Sequence, residues 1–209
     1  MKVFAVEIEN GCPCEKEPEE KLRSLIGKLL ILYILREYYR LPNNSINLNK
    51  NIHGKPFLQN NDLHFNITHS GFIVICAVNN DEVGVDVERV VPRKVNKLIP
   101  LFTKREQKYL KELSSKEQLI GFYKLWTRKE SYIKALGLRL DKSLLKNIDV
   151  FIGVNSANKL KGYQIKTMDL NEKYIFSICS RKVDFNFEDI IYVKESLLYK
   201  KKAEEVIEN

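Results

Sequence analysis

The chain has 209 residues, 44% of them hydrophobic and 30% charged, and 35 lysines and arginines against 27 aspartates and glutamates give a formal charge of +8. That length admits one large unit or two small ones, and that composition excludes a disordered or fibrous chain. The positive balance favours an anionic partner, whether nucleic acid, a phosphorylated cofactor or an acidic protein. Residues 2–8 alternate and read as a strand. The first ten residues carry acids and no apolar core, so they are not read as a secretory signal. Cys12-Pro13-Cys14 lacks the second close pair of ligands that a zinc site wants. With only four cysteines, and no apolar run near the roughly 20 residues of a membrane span, a cytoplasmic setting without a membrane partner is expected.

Pro18 suits the first turn of a helix, with Glu17, Glu19 and Glu20 at its positive end. Leu22, Leu25, Ile26, Leu29, Leu30 and Tyr33 give that helix a broad apolar face that runs to about residue 39. Residues 43–51 read as a polar connection, Gly54-Lys55-Pro56 as a turn and 63–67 as a short strand. Residues 72–78 are a continuous apolar run, and 83–87 alternate after the turn Asn79-Asn80-Asp81-Glu82, so the two together predict a hairpin. Val83, Val85 and Val87 then face a core, and Gly84, Asp86 and Glu88 face the other way.

The prolines and basic residues of 90–100 mark a joint that divides the chain into units 1–97 and 98–209. Residues 101–113 look helical, and Ser114 or Ser115 with Glu117 or Gln118 predicts a capped helix ending near Leu136, before Gly137. A second hairpin is expected over 160–170 and 174–180, and 190–193 as a further strand. Residues 200–209 read as a frayed, charged end. The fold class is α+β: two pseudo-symmetric lobes, each a long helix packed on a small antiparallel sheet, with an active site between them.

Asp86 and Glu88 are two apart on a strand and share a side, where like charges repel unless a cation lies between them. Glu130 and Lys134 are four apart on a helix, the spacing of an ordinary surface ion pair. Each pair alone suits a solvated face. Together with Gly84 beside Asp86 and Trp126 one turn before Glu130, they suit a site in which acids hold a hard cation and lysines hold phosphate. Thr68-His69-Ser70-Gly71, between two predicted strands, adds hydroxyls, an imidazole and backbone N–H groups. His53 and His64 share no metal-like spacing with His69 and read as structural or exposed.

The ordered set Gly54-Lys55-Pro56, Asn66-Ile67-Thr68-His69-Ser70, Gly84-Val85-Asp86-Val87-Glu88, Phe102-Thr103-Lys104-Arg105-Glu106 and Trp126-Thr127-Arg128-Lys129-Glu130-Ser131-Tyr132-Ile133-Lys134 resembles the 4′-phosphopantetheinyl transferases. In length the chain resembles the surfactin-synthetase-activating, monomeric type with two lobes in one chain. The resemblance runs from Arg23 to about Leu140. It implies coenzyme A as co-substrate and Mg²⁺ as cofactor, with Mn²⁺ as the alternative. It implies Asp86, Glu88 and Glu130 as metal ligands. Lys55 and Pro56 are implied near the adenine, Thr68 and His69 at phosphate and Arg23 at the 3′-phosphate. Lys129 and Lys134 are implied near the diphosphate, and Glu106 in metal or water positioning.

The segment before Arg23 departs from relatives, being short and acidic at Glu15, Glu17, Glu19 and Glu20 where they carry further basic residues. Lys16, Lys21 and Lys28 are the candidate substitutes. The implied reaction moves the phosphopantetheine arm to a serine of an acidic carrier protein. Glu130 acts as base, Lys134 as charge neutraliser, and Asp86 holds the metal. Arg93, Lys94, Lys97, Lys104, Lys108 and Lys111 are candidates for carrier contact. A nucleic-acid module is disfavoured because no helix carries a basic recognition face. A coenzyme-A-binding protein without catalysis is disfavoured by the full set of acids.

Overall fold

The structure, a computed structural model, describes residues 1–9, 18–151 and 159–199. The readings on Cys12, Cys14, Glu15, Lys16, Glu17 and residues 200–209 lie outside those residues.

Among the described residues, ten strands and four α-helices follow one another. The first stretch holds β1 (Lys2–Glu7), α1 (Glu20–Tyr33), β2 (Leu48–Lys50), β3 (Pro56–Leu58), β4 (His64–Ser70), β5 (Ile73–Asn79) and β6 (Val83–Arg89). The second holds α2 (Lys104–Glu112), α3 (Ser115–Ala135), α4 (Lys142–Asn147), β7 (Lys159–Leu160), β8 (Tyr163–Leu170), β9 (Tyr174–Ser180) and β10 (Ile190–Tyr192). One sheet has the order β10-β1-β5-β4 and the other β6-β9-β8-β7, and β2 pairs with β3 in a two-stranded sheet. All pairings are antiparallel except that of β1 with β10. The class is α+β, as the sequence predicts.

The layers run helix, sheet, sheet, helix, and hydrophobic cores fill the gaps between them. Phe4, Val6, Val74, Cys76 and Val78 meet Ile26, Leu30 and Ile34 of the first helical segment. That segment extends past α1 through a π-helical turn, Ile34–Tyr38. Val3, Ala5, Ile73, Ile75 and Ala77 turn the other way, onto Val83, Val85, Val87, Phe176 and Ile178. Ile165, Ile175 and Cys179 on the outer face of the second sheet meet Phe122, Tyr123 and Tyr132 of α3. The expected start of α3 holds: Ser114 and Glu117 form a capping box, as Thr103 and Glu106 do for α2.

Several sequence readings change. β5 and β6 are not a hairpin. Both edges of β5 are taken, by β1 and β4, and β6 pairs with β9 in the other sheet. The run in β5 is apolar on both faces, so it needs cover on both; β6 supplies it by packing across the face rather than along the edge. The chain therefore changes sheets between Asn79 and Val83, ahead of the joint read at 90–100, and β10 returns to the first sheet. β4 runs on to Ser70, so Thr68 and His69 are strand residues rather than a turn. The segment read as a polar connection holds β2, and α4 was not expected.

Candidate active site

β6 is an edge strand, and its outward N–H groups need partners. Three side chains of β4 supply them. Asn66 Oδ1 accepts from Val85 N at 2.8 Å, Thr68 Oγ1 from Val87 N at 3.3 Å and Ser70 Oγ from Arg89 N at 3.0 Å. Alternate residues of one strand thus bond alternate residues of the next, which sets Thr68 and Ser70 beside Asp86 and Glu88. Thr68 Oγ1 lies 3.2 Å from Asp86 Oδ1, and Ser70 Oγ donates to Glu88 Oε2 at 3.2 Å.

Gly84 brings in the third wall. A Cβ there would stand 2.0 Å from Ser131 O and 2.3 Å from Ala135 N. The space beside the acids is therefore filled by the backbone of α3 rather than open. This close approach delivers Lys134, whose Nζ lies 2.5 Å from Asp86 Oδ1 and 3.5 Å from Glu130 Oε2. Its distance to Thr68 Oγ1 is also 3.5 Å.

Burial pushes the Asp86 carboxyl above the ordinary aspartate range; Lys134 opposes this, while Glu130 and Glu88 add to it. Burial likewise raises Glu88, against the pull of Ser70. Burial draws the Lys134 ammonium down, but Asp86 and Glu130 more than offset it and hold Lys134 above its usual value. Three acids in mutual electrostatic contact with one ammonium are a site that gathers cations.

His69 points to the α1 side of β4, with Nε2 3.5 Å from Ser24 Oγ. Burial first, then Arg23, keeps its imidazolium below the usual range, so it is neutral at pH 7. Arg23 Nη1 donates to Pro18 O at 2.8 Å and to Gly71 O at 3.4 Å. His69 also feels the charge of Lys134, which links this group to the acids.

Lys55 and Pro56 line a cleft of about 240 Å³ together with Gly54, Glu130, Lys134 and Leu138. The Lys55 ammonium turns inward and donates to Val83 O at 2.9 Å and Lys134 O at 2.7 Å. Burial lowers it to about 8.

Two expected residues stand elsewhere. Lys129 is fully buried and pairs with Glu106 at 2.7 Å, while its Nζ also donates to Leu145 O and Ile148 O. Glu106 is equally buried and accepts from Val150 N at 2.8 Å and Thr103 N at 3.0 Å. Both side chains have all their partners inside the fold. The reason is helical phase: adjacent residues differ by about 100° in direction, so Lys129 cannot share the face of Glu130 and Lys134. Neither Lys129 near a diphosphate nor Glu106 beside a metal agrees with this placement. Asn66 and Ser24 have no role in the sequence reading, and Ser70, read there as one of the candidate hydroxyls, instead bonds the backbone of β6 and Glu88. Extending the strand pattern of β4 to residue 70 would have put Asn66 and Ser70 on the face of Thr68.

Among the described residues, no three histidine, cysteine, aspartate or glutamate side chains already converge as a ready metal cage. The donor chemistry nevertheless suits a hard divalent cation. Asp86 Oδ2 is buried without a hydrogen-bond partner, an arrangement that a cation would relieve.

Residues 82–181 match the profile of the 4′-phosphopantetheinyl transferase superfamily, and residues 16–81 match that of the 4′-phosphopantetheinyl transferase N-terminal region. The 4′-phosphopantetheinyl transferase Sfp of Bacillus subtilis (strain 168) is 32% identical over 205 residues, covering 95% of this chain and 91% of its own. The chain belongs to the 4′-phosphopantetheinyl transferases. The transferase is also 35% identical to the 4′-phosphopantetheinyl transferase gsp of Aneurinibacillus migulanus, over 78% of this chain and 70% of that one. It is 28% identical to the 4′-phosphopantetheinyl transferase HetI of a Nostoc strain, over 69% and 63% of the two chains. The two profiles meet between residues 81 and 82, within the turn where the chain changes sheets.

Proposed function

We propose that this transferase moves the 4′-phosphopantetheine arm of coenzyme A to a serine hydroxyl of an acidic apo carrier protein and releases adenosine 3′,5′-bisphosphate. The serine oxygen forms a bond to the phosphorus that carries the arm, and the bond from that phosphorus to the bisphosphate oxygen breaks. The observation that carries this reading is the junction of buried Asp86 and Thr68 with half-buried Glu130 and Lys134, in which one oxygen of Asp86 is unpartnered.

Glu130 accepts the serine proton, being the acid of the junction that lines the cleft. Lys134, kept charged by Asp86 and Glu130, neutralises the departing bisphosphate. Neutral His69 would donate to a phosphate oxygen, Thr68 would do so by turning its hydroxyl proton away from Asp86, and Arg23 with Ser24 would meet the 3′-phosphate. Pro56 and the turn before it flank the adenine. Asp86, Glu88 and Glu130 would hold Mg²⁺, or Mn²⁺ in its place. Such an ion, when bound, offsets charge on the diphosphate.

The unit is a cytoplasmic monomer of two pseudo-symmetric lobes, α1 on one sheet and α3 on the other. The division read at residues 97/98 follows the change of sheet between Asn79 and Val83, and β4 of the first sheet meets β6 and α3 at the junction. Neither nucleic acid nor membrane is among its partners.

The test is mass spectrometry of a panel of apo carrier domains incubated with the protein, coenzyme A and Mg²⁺. A mass gain of the whole arm on the carrier serine is expected. Coenzyme A binding with no gain on any carrier would overturn the transfer, and a gel shift with nucleic acid would favour the rival reading.

A further inference from the structure

The last turn of a helix leaves backbone carbonyls that need donors. In α3 that turn ends at Lys134 and Ala135, beside the side chain that meets Asp86. Leu136 N, Gly137 N and Leu138 N donate to Tyr132 O, Lys134 O and Ile133 O from within the segment, so Lys134 O already has one donor and can accept a second on its other lone pair. Two further donors come from the loop between β2 and β3. Lys55 Nζ donates to Lys134 O at 2.7 Å, and Asn51 Nδ2 donates to Gly137 O at 2.8 Å. Gly137 sits at φ +68, so its carbonyl is turned out of the helical direction toward that loop.

The loop is built to hold this position. Asn51 Oδ1 accepts from His53 N and Lys55 N, both at 2.9 Å, and Asn51 N donates to Lys55 O at 2.9 Å. The Lys55 ammonium also donates to Val83 O at 2.9 Å, at the start of β6 and three residues before Asp86. One cation therefore ties the beginning of the strand that presents Asp86 to the end of the helix that presents Lys134. A positive group at a helix C-terminus is also favoured by the helix dipole.

We infer that Lys55, with Asn51, is a positioning residue: the loop caps α3 from another part of the fold and sets the spacing of Asp86 and Lys134, instead of the Lys55 ammonium serving as a contact for the nucleotide. The same loop lines the cleft through Gly54 and Pro56, so a ligand seated there presses on the element that fixes the acid–lysine pair. The inference rests on the proposed transfer only for its kinetic arm.

Lys55→Met and Asn51→Ala are compared with the unaltered protein in two measurements. Amide hydrogen exchange in the ligand-free protein reads residues 136–138, where both variants should speed exchange while the strands of the first sheet stay protected. Transfer from coenzyme A to an apo carrier domain should show kcat lower by about 10- to 100-fold, as expected for a small misplacement of reacting groups, with donor KM changed less than about 3-fold. Asn51 does not line the cleft, so its variant separates positioning from contact. Unchanged exchange at 136–138, or a raised donor KM with kcat intact in Lys55→Met, overturns the inference. If the unaltered protein transfers nothing, the functional reading fails and the exchange measurement alone decides this one.

Discussion

Asp86 is a carboxylate with 4% of its surface exposed, held by one lysine and one threonine. Removing its charge takes away the partner of Lys134 and the unpartnered oxygen together, while the side-chain shape is kept. Asp86→Asn should cut transfer on the order of 10³-fold, the scale of losing a preorganised charge at a reacting centre, and leave the melting temperature within a few degrees. Transfer near the unaltered rate would remove Asp86 from the chemistry. Lys55 gives a pH signature. Burial depresses its ammonium from 10.5 to about 8, with Glu82 the acid that partly opposes this. Between those two values the unfolded chain holds a proton that the folded chain has released, so the contribution of Lys55 to stability rises with pH across that window. The advantage in melting temperature of the unaltered protein over Lys55→Met should therefore widen from pH 8 to 10.5. A gap that stays constant would mean the ammonium is not desolvated.

Among the elements, the contact of β6 with α3 decides the site. The ideal Cβ at Gly84 would fall 2.0 Å from a backbone oxygen, which no rotamer change can relieve. Gly84→Ala must push the helix off the strand. A loss of at least about 2 kcal/mol in urea unfolding is expected, the upper part of the range for overpacking. Transfer should fall with it, because Lys134 moves with the helix. A variant as stable as the parent would show that α3 lies less close than described. The periodicity of α3 was readable in the sequence, and Ser114 with Glu117 marked its start. Its phase turns Lys129 about 100° away from Glu130 and so off the shared face of Trp126, Glu130 and Lys134; only the tertiary structure shows that it meets Glu106 and the carbonyls of Leu145 and Ile148.

At the scale of the molecule, the charge of +8 acts at long range. If the partner is an acidic carrier protein, this charge raises the encounter rate, and salt screens it over roughly 8 Å at physiological ionic strength. The value of kcat/KM for the carrier should fall several-fold between low and 0.5 M salt, chiefly through association, while coenzyme A affinity is followed separately by calorimetry. A carrier kcat/KM that ignores salt would argue against steering by Arg93, Lys94 and the lysines of α2. The four-layer stack, with a core in each gap, accounts for the 44% of the composition that is hydrophobic. β1 and β5 each feed two cores at once. Among the described residues, no helix is long and apolar enough to cross a membrane.

Local pattern determined a good deal by itself. The alternation of Val83, Val85 and Val87 fixed which way Asp86 and Glu88 point, the capping box at Ser114 and Glu117 fixed where α3 begins, and the ordered motifs pointed to the transferase family. Those features depend on residues a few positions apart, where backbone geometry allows few choices. The partner of β6, the filling of the space at Gly84, the inward turn of Lys55 and the burial of Lys129 depend on contacts between residues tens of positions apart. A continuous apolar strand such as β5 states that both faces need cover and leaves open what covers them. Only the packing of the two sheets chose β6 for that place, and with it brought an aspartate, a threonine and a lysine from three distant segments to one point.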